Sequence, residues 1–428
     1  MKNLKKALLA SAVIAFAPLA ACTTQSANPD VQVSDVKQTY ADMALAMYQD
    51  SLSTALTLQA HINAFVAAPT EANLAKAKQA WLAARVPYQQ TEGYRFGNAY
   101  VDEWEGKVNA WPLDEGLIDY VDSSYGKSSD ENPLYTLNVV AHNTFNIGGR
   151  TVNATEITPK LLAEELHEAQ EVEANVATGY HAIEFLLWGQ DLNGTNAGAG
   201  NRKASDFDVK NCTNGHCDRR VQYLVAATDL LVSDLQDIVA AWGTGGQART
   251  DFMNKTDAES LSTILTGLGS LSYGELAGER IKLGLMLNDP EEEHDCFSDN
   301  THNSHYYDEV GMKAIYTGVY RRVDGSVFKG PALKDYAEIH APAANAKALA
   351  GIETAMSKMT TMKRIADSGE MAYDQMIGAG NTKGNAVVMD VVNSLVVQTR
   401  GFEAVVAGLN LNIEVEGSDS LDNPSAVQ

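Results

Sequence analysis

Gly179-Tyr180-His181-Ala182-Ile183-Glu184-Phe185-Leu186-Leu187-Trp188-Gly189 is apolar enough to be a buried helix, yet it carries an imidazole and a carboxylate. On an α-helix residues i and i+3 share a face, so His181 and Glu184 meet, and Trp188 continues their stripe. Burying either polar group without a partner is costly. A hydrogen-bonded core pair satisfies both groups, and so does a metal ion held by the two side chains. The stretch has no H-E-x-x-H pattern, and position 185 is Phe where the inverted form needs a second histidine. Further ligands therefore have to come from elsewhere in the chain.

The stretch sits in a chain of 428 residues, 45% of them hydrophobic, long enough for two domains. Abundant Ala, Leu, Glu, Gln and Met favour helix over strand, and the expected class is all-α. The net charge is −23, which disfavours nucleic acid and anionic membrane surfaces and concentrates cations.

Upstream, helical periodicity predicts a helix from Val36 to about Ala67 and a second one capped by Thr70. This second helix is expected to hold Trp81, Arg85, Tyr88 and Glu92 on one stripe, with a kink at Pro87. Residues 98–153 read as a Gly-, Pro- and Asn-rich connector containing Trp111-Pro112-Leu113-Asp114. Ile157 to Val176 reads as helix with a solvated acidic face. Arg219 to Trp242 is a long amphipathic helix, and Gly243 to Gly246 marks a boundary. Downstream, Gly311-Met312-Lys313-Ala314-Ile315-Tyr316 can be laid on Gly179–Glu184, which suggests a duplication closed by a helix from Asn385 to Leu409. Glu275 and Glu279 would share a helix face at i, i+4, flanked by Gly274 and Gly278. Asp289 to Thr301 is rich in oxygen donors but has no EF-hand spacing.

The amino terminus reads as an address. Lys2, Lys5 and Lys6 precede the apolar run Ala7–Ala20, and Leu19-Ala20-Ala21-Cys22 resembles a bacterial lipobox. Residues 1–21 are the expected signal peptide, Cys22 the lipidated residue and 22–35 a tether. Thr23 after the cysteine points to the outer membrane, on its periplasmic or outer face. Cys212 and Cys217 bracket a turn-rich loop and are expected to form a disulfide, with a small metal loop using His216 as the alternative. Cys296 is left as a free thiol.

Taken together, Gly179-x-His181-x-x-Glu184, Trp81-x-x-x-Arg85-x-Pro-Tyr88-x-x-x-Glu92, Glu275-Leu-Ala-Gly-Glu-Arg280 and Cys296-Phe-Ser-Asp-Asn-Thr301 resemble the imelysin family, over about residues 36–410. The resemblance implies two domains, each like a four-helix bundle, at 36–246 and 247–412, with a site in the cleft between them and a polar tail at 413–428. Family members are described both as metallopeptidases and as iron-uptake proteins. The reading favoured here is a lipoprotein that binds one metal ion or metal chelate, iron rather than zinc, together with an iron-transport component. Its expected ligands are His181, Glu184, Glu92 and Asp114. Arg85 would orient a carboxylate, with Tyr88, Trp188, Glu275, Glu279 and Arg280 around the cleft. The alternative is a metallopeptidase in which Glu184 is the catalytic group.

Overall fold

Long runs of apolar residues at helical spacing build α1 (Val33–Ala67) in the computed structural model, which describes residues 31–411 and 413. The leader, Cys22, the tether up to residue 30 and most of the polar tail lie outside the described residues. Thr70 caps α2 (Glu71–Gln89), its hydroxyl accepting from the Asn73 amide at 3.3 Å. α2 stops at Gln89, two residues after Pro87, and a 3₁₀ turn follows at Glu92–Tyr94. Glu92 therefore leaves the stripe of Trp81, Arg85 and Tyr88 and points elsewhere. Proline lacks the amide that would sustain the ladder, so the helix ends near it where a mid-helix kink was expected.

The connector contains more order than its composition suggests. It forms α3 (Ala99–Asn109), the single turn α4 (Glu115–Ile118) and the hairpin β1 (Thr144–Ile147) with β2 (Arg150–Asn153), paired Phe145 to Val152. By contrast, 157–176 is not the continuous helix expected. After the turn α5 (Pro159–Leu161) and a π-type turn at Leu162–Leu166, Glu168, Gln170 and Glu171 adopt positive φ. Their helix-friendly side chains lose to tertiary contacts, among them the bond from the Glu168 amide to the Asn175 carbonyl.

α6 (Gly179–Trp188) is buried along its whole length and packs on α2, α3 and α7 (Cys217–Trp242). Gly179 starts it at φ +76°, and a Cβ there would lie 2.4 Å from the Val108 carbonyl oxygen, so only glycine fits. The second half begins with α8 (Gln247–Asn254) and α9 (Asp257–Ser270), the latter capped by a Thr256/Glu259 box. A π-helix over Leu271–Lys282 continues α9 directly into α10 (Leu283–Leu287). Then follow α11 (Thr301–Thr317), the hairpin β3 (Val319–Arg321) with β4 (Val327–Lys329), α12 (Leu333–His340), α13 (Pro342–Asp367), α14 (Tyr373–Ile377) and α15 (Thr382–Gly408).

Among the described residues the fold is all-α apart from these two small hairpins. α1 packs along α2 and α7, α13 along α15, and α11 touches both α13 and α2, so the α2–α11 contact carries apolar packing from one half into the other. The two stretches aligned as a duplication have different local roles. Gly179 opens a helix, whereas Gly311 lies inside α11, where a Cβ would meet the Gln90 backbone at 2.4 Å. Cys212 and Cys217 are bonded with Cα atoms 5.8 Å apart, and Cys296 is a free, half-buried thiol. Among the described residues no helix is long and apolar enough to cross a membrane.

Candidate metal centre

The i, i+3 geometry of α6 places His181 Nδ1 3.1 Å from Glu184 Oε2. Both residues are fully buried. The other oxygen of Glu184 accepts from the Ser298 amide at 2.9 Å and its hydroxyl at 2.7 Å. Glu184 therefore receives hydrogen bonds at both oxygens once Nδ1 carries the imidazole proton. Assigned by that network, the proton leaves Nε2 with the lone pair, and Nε2 is buried with no hydrogen-bond partner.

The segment between α10 and α11 delivers the remaining groups. His294 and Asp295 are buried, and each offers a ligand atom that, with one from His181, lies within 4.8 Å of the other two. The His181 and His294 rings meet edge to face, centroids 4.8 Å apart, and neither nitrogen of His294 has a partner. Asp295 is the opposite case. It accepts from Arg85 Nη2 at 2.9 Å, from Asn300 Nδ2 at 2.8 Å and from the Ser304 hydroxyl. Arg85 spends its other terminal nitrogen on Asn109 Oδ1 at 2.6 Å, so it holds the carboxylate through one bond and not through a bidentate pair.

Electrostatics follow from this packing. Burial, helped by the nearby Arg85 charge, pushes His181 down to about 3, and burial with the charge of Arg280 pushes His294 well below the usual imidazole range. Both rings are neutral at pH 7 and available as ligands. Burial is the largest influence on Asp295 and works against its charge, but the Arg85 guanidinium, the His181 ring and the Ser304 and Asn300 hydrogen bonds together hold the carboxyl below its ordinary value. Burial and the Asp295 charge raise Glu184 well above the carboxylate range, against the Ser298 hydrogen bonds.

The walls are aromatic on one side and polar on the other. Trp111 donates to the Glu293 carbonyl at 2.9 Å and lies edge-on to His294, while His305, fully buried, faces the ring of His294 from 6.4 Å. A cleft of about 280 Å³, lined by Arg85, Gln89, Asn300, Asn303, Ser304 and Tyr307, reaches the groups that hold Asp295.

The other residues singled out in the sequence lie elsewhere. Glu92 accepts from Arg280 Nη2 at 2.7 Å, in a buried ionic cluster with Glu275 and Asp308. In the π-helix the residues that stack are five apart, so Glu275 meets Arg280 at 2.8 Å and Glu279 is left half-buried at the side. Asp114, next to the Trp-Pro pair, accepts from Asn132 Nδ2 at 2.5 Å and faces Tyr125. Tyr88 packs on Tyr180, and Trp188 packs on Trp81, 5.3 Å between centroids, beneath Lys78. His294 and Asp295 were not expected as ligands. Their signal was the oxygen-rich run Asp289–Thr301, a loop combining a histidine with unbalanced acids next to a family motif.

Comparison with known proteins agrees with this architecture. A family model described as imelysin, which also bears a peptidase label, matches residues 44–401. "Iron-regulated protein A" of Synechococcus elongatus is 38% identical over 71 residues, 16% of this chain and 20% of that protein. The chain thus matches about a fifth of that curated relative's length. A solved structure of a putative iron-regulated protein A precursor from Parabacteroides distasonis superposes with a TM-score of 0.61 at 16% identity, covering 88% of this chain and 95% of the other, and shows the same fold.

Proposed function

The chain belongs to the imelysin family, and on that premise we propose that it captures one transition-metal ion, iron in preference to zinc, for iron acquisition at the cell envelope. His181, His294 and Asp295 would hold the ion. Two imidazoles and a carboxylate are a donor set that suits iron(II) and also zinc, and the names of the relatives weigh towards iron. The single observation that carries the reading is that His181, His294 and Asp295 each bring one ligand atom within 4.8 Å of the other two, while Nε2 of His181 and both nitrogens of His294 are buried without a hydrogen-bond partner. An unpartnered polar atom in a protein interior costs about 1–3 kcal/mol, which a bound cation would recover.

The chain's own groups have definite tasks in this scheme. Glu184 accepts the hydrogen bond from Nδ1–H and so fixes the His181 ring, with Ser298 holding Glu184 in turn. Arg85, Asn300 and Ser304 hold Asp295 in place. Burial keeps the imidazoles unprotonated, so the ion displaces no proton from them at neutral pH. The cleft lined by Arg85 and Tyr307 is the route for the ion or for a small chelate. Attachment through Cys22 would set the protein on the outer membrane beside an iron-transport component.

A peptidase reading needs a general base next to metal-bound water. Glu184, the candidate for that role, already accepts hydrogen bonds at both oxygens. Elemental analysis of untagged protein, paired with a protein-substrate digestion assay, separates the two. Iron at about one equivalent with intact substrates is expected. Stoichiometric zinc with chelator-sensitive cleavage would overturn the proposal.

A further inference from the structure

Four residues after Asp295, Asp299 belongs to a second group of acids. Asp191 follows α6, Asp299 precedes α11 and Asp374 sits in α14, and one oxygen from each lies within 4.8 Å of the other two. Asp299 and Asp191 are in part exposed, but Asp374 is only 2% exposed and neither of its oxygens receives a hydrogen bond from an amide, a hydroxyl or a basic group. Its one partner is another acid, the buried Glu293 carboxyl. The charges acting on Asp374 are those of Asp299 and Asp191, and all are of one sign. Burial and this mutual repulsion push Asp374 up to about 7, and burial with the charge of Asp191 pushes Asp299 up to about 6.

The loops are built to hold these oxygens apart from each other's hydrogen bonds. Asp191 caps its own turn through the Asn193 amide at 2.9 Å. Asp299 uses one oxygen on the Gly198 amide at 3.0 Å, while its other oxygen is unpartnered. Hard oxygen donors without nitrogen or sulfur select a hard cation. Three protein carboxylates suit calcium, which takes about 6–8 oxygens in flexible geometry, better than magnesium, which keeps several waters and uses about one or two carboxylates. The exposed edges of Asp191 and Asp299 leave a way in from solvent.

We infer that Asp191, Asp299 and Asp374 form a calcium-class divalent cation site, separate from the His181 centre, that ties the loop after α6 and the segment before α11 to α14. Glu293, His294 and Asp295 are consecutive, so an ion at this site braces the strip of backbone that presents His294 and Asp295 to His181. The inference stands whatever the first centre binds.

Calcium chloride titrated calorimetrically into the metal-stripped full chain tests it. The wild type takes up one equivalent of calcium. Asp374→Asn and the more exposed Asp191→Asn each weaken binding at least tenfold, while His181→Ala retains the equivalent. Far-UV circular dichroism checks that each variant is folded, and Asp191→Asn keeps the test decisive if Asp374→Asn fails to fold. No calcium uptake at millimolar concentration, wild-type affinity in folded Asp191→Asn, equal affinity for magnesium, or loss of calcium in His181→Ala would each overturn the inference. Absence of iron from a protein that still binds calcium would instead count against the iron reading alone.

Discussion

Two buried polar clusters lie on either side of the α2 terminus, and they differ in what completes them. Around Arg280, the acids Glu92, Glu275 and Asp308 approach one guanidinium at 2.7–3.5 Å, with Arg95 also paired to Glu275 at 3.3 Å. Positive and negative charges there come from the same chain. Around His181, one carboxylate is paired to Arg85, and the two neutral rings next to it face each other with bare nitrogens. The first cluster is neutralised by the fold itself, with Oδ1 of Asp308 left unpartnered, whereas the second has neutral rings with nothing from the chain to meet them. Buried charge by itself therefore does not mark a site. Converging ligand atoms that lack partners do.

The comparison breaks first at Arg280. Arg280→Met strands Glu92 and Asp308 without their cation and should destabilise the protein by about 3–5 kcal/mol in urea unfolding. Iron affinity of the folded fraction should not fall, because the Arg280 charge that acts on His294 opposes a cation there. A large loss of metal affinity at unchanged stability would show that the ionic cluster, not the imidazole pair, is the ligand set.

Glu184→Gln probes the other side. The amide cannot hold the Nδ1 proton as the carboxylate does, so metal affinity should fall about 10–100-fold, read by competition with a chromophoric chelator. A folded variant that binds like wild type would exclude Glu184 from both ligation and orientation. Gly179→Ala sits between the two effects. Its Cβ would collide with the Val108 carbonyl at a φ of +76°, costing about 1–2 kcal/mol or more and displacing the start of α6. Thermal unfolding and metal affinity should both worsen, in contrast to the separated effects of the first two variants.

A buried acid with neither completion sharpens the contrast at the level of a single group. Glu309 accepts one bond, from Gln398 Nε2 at 2.9 Å, and burial pushes it up to about 8 from an ordinary 4.5. Since the folded state holds the proton more tightly than the unfolded one, its stabilising contribution is complete below about pH 4.5 and is lost as pH rises through 8. Stability should decline across that window with a slope of up to about 1.4 kcal/mol per pH unit from this group. Glu309→Gln should flatten the decline, measured by urea unfolding at pH 5, 6.5 and 8. An unchanged slope would mean that Glu309 is ionised in the native protein.

Local chemistry determined much on its own. Helical spacing placed α1, α2, α6, α7 and α15 within a few residues of their observed ends, and the Thr70 cap followed from side-chain type. The meeting of His181 with Glu184 is a one-turn relation that any helix enforces, and Gly179 is required by a backbone angle that only glycine takes easily. What tertiary structure decided was every relation between distant segments. Glu92 looked like a partner of Arg85 because four-residue spacing continues a stripe, but the helix ended near Pro87 and Glu92 turned to Arg280. Glu275 and Glu279 share a face only at α-helical pitch, and the π-helix paired Glu275 with Arg280 instead. His294 and Asp295 lie more than a hundred residues from His181, in a loop without periodicity, so no local rule could bring them there. Periodicity reports which face of an element is buried. Which ligands meet across that buried face depends on how the elements pack, and that is settled only when the whole core is assembled.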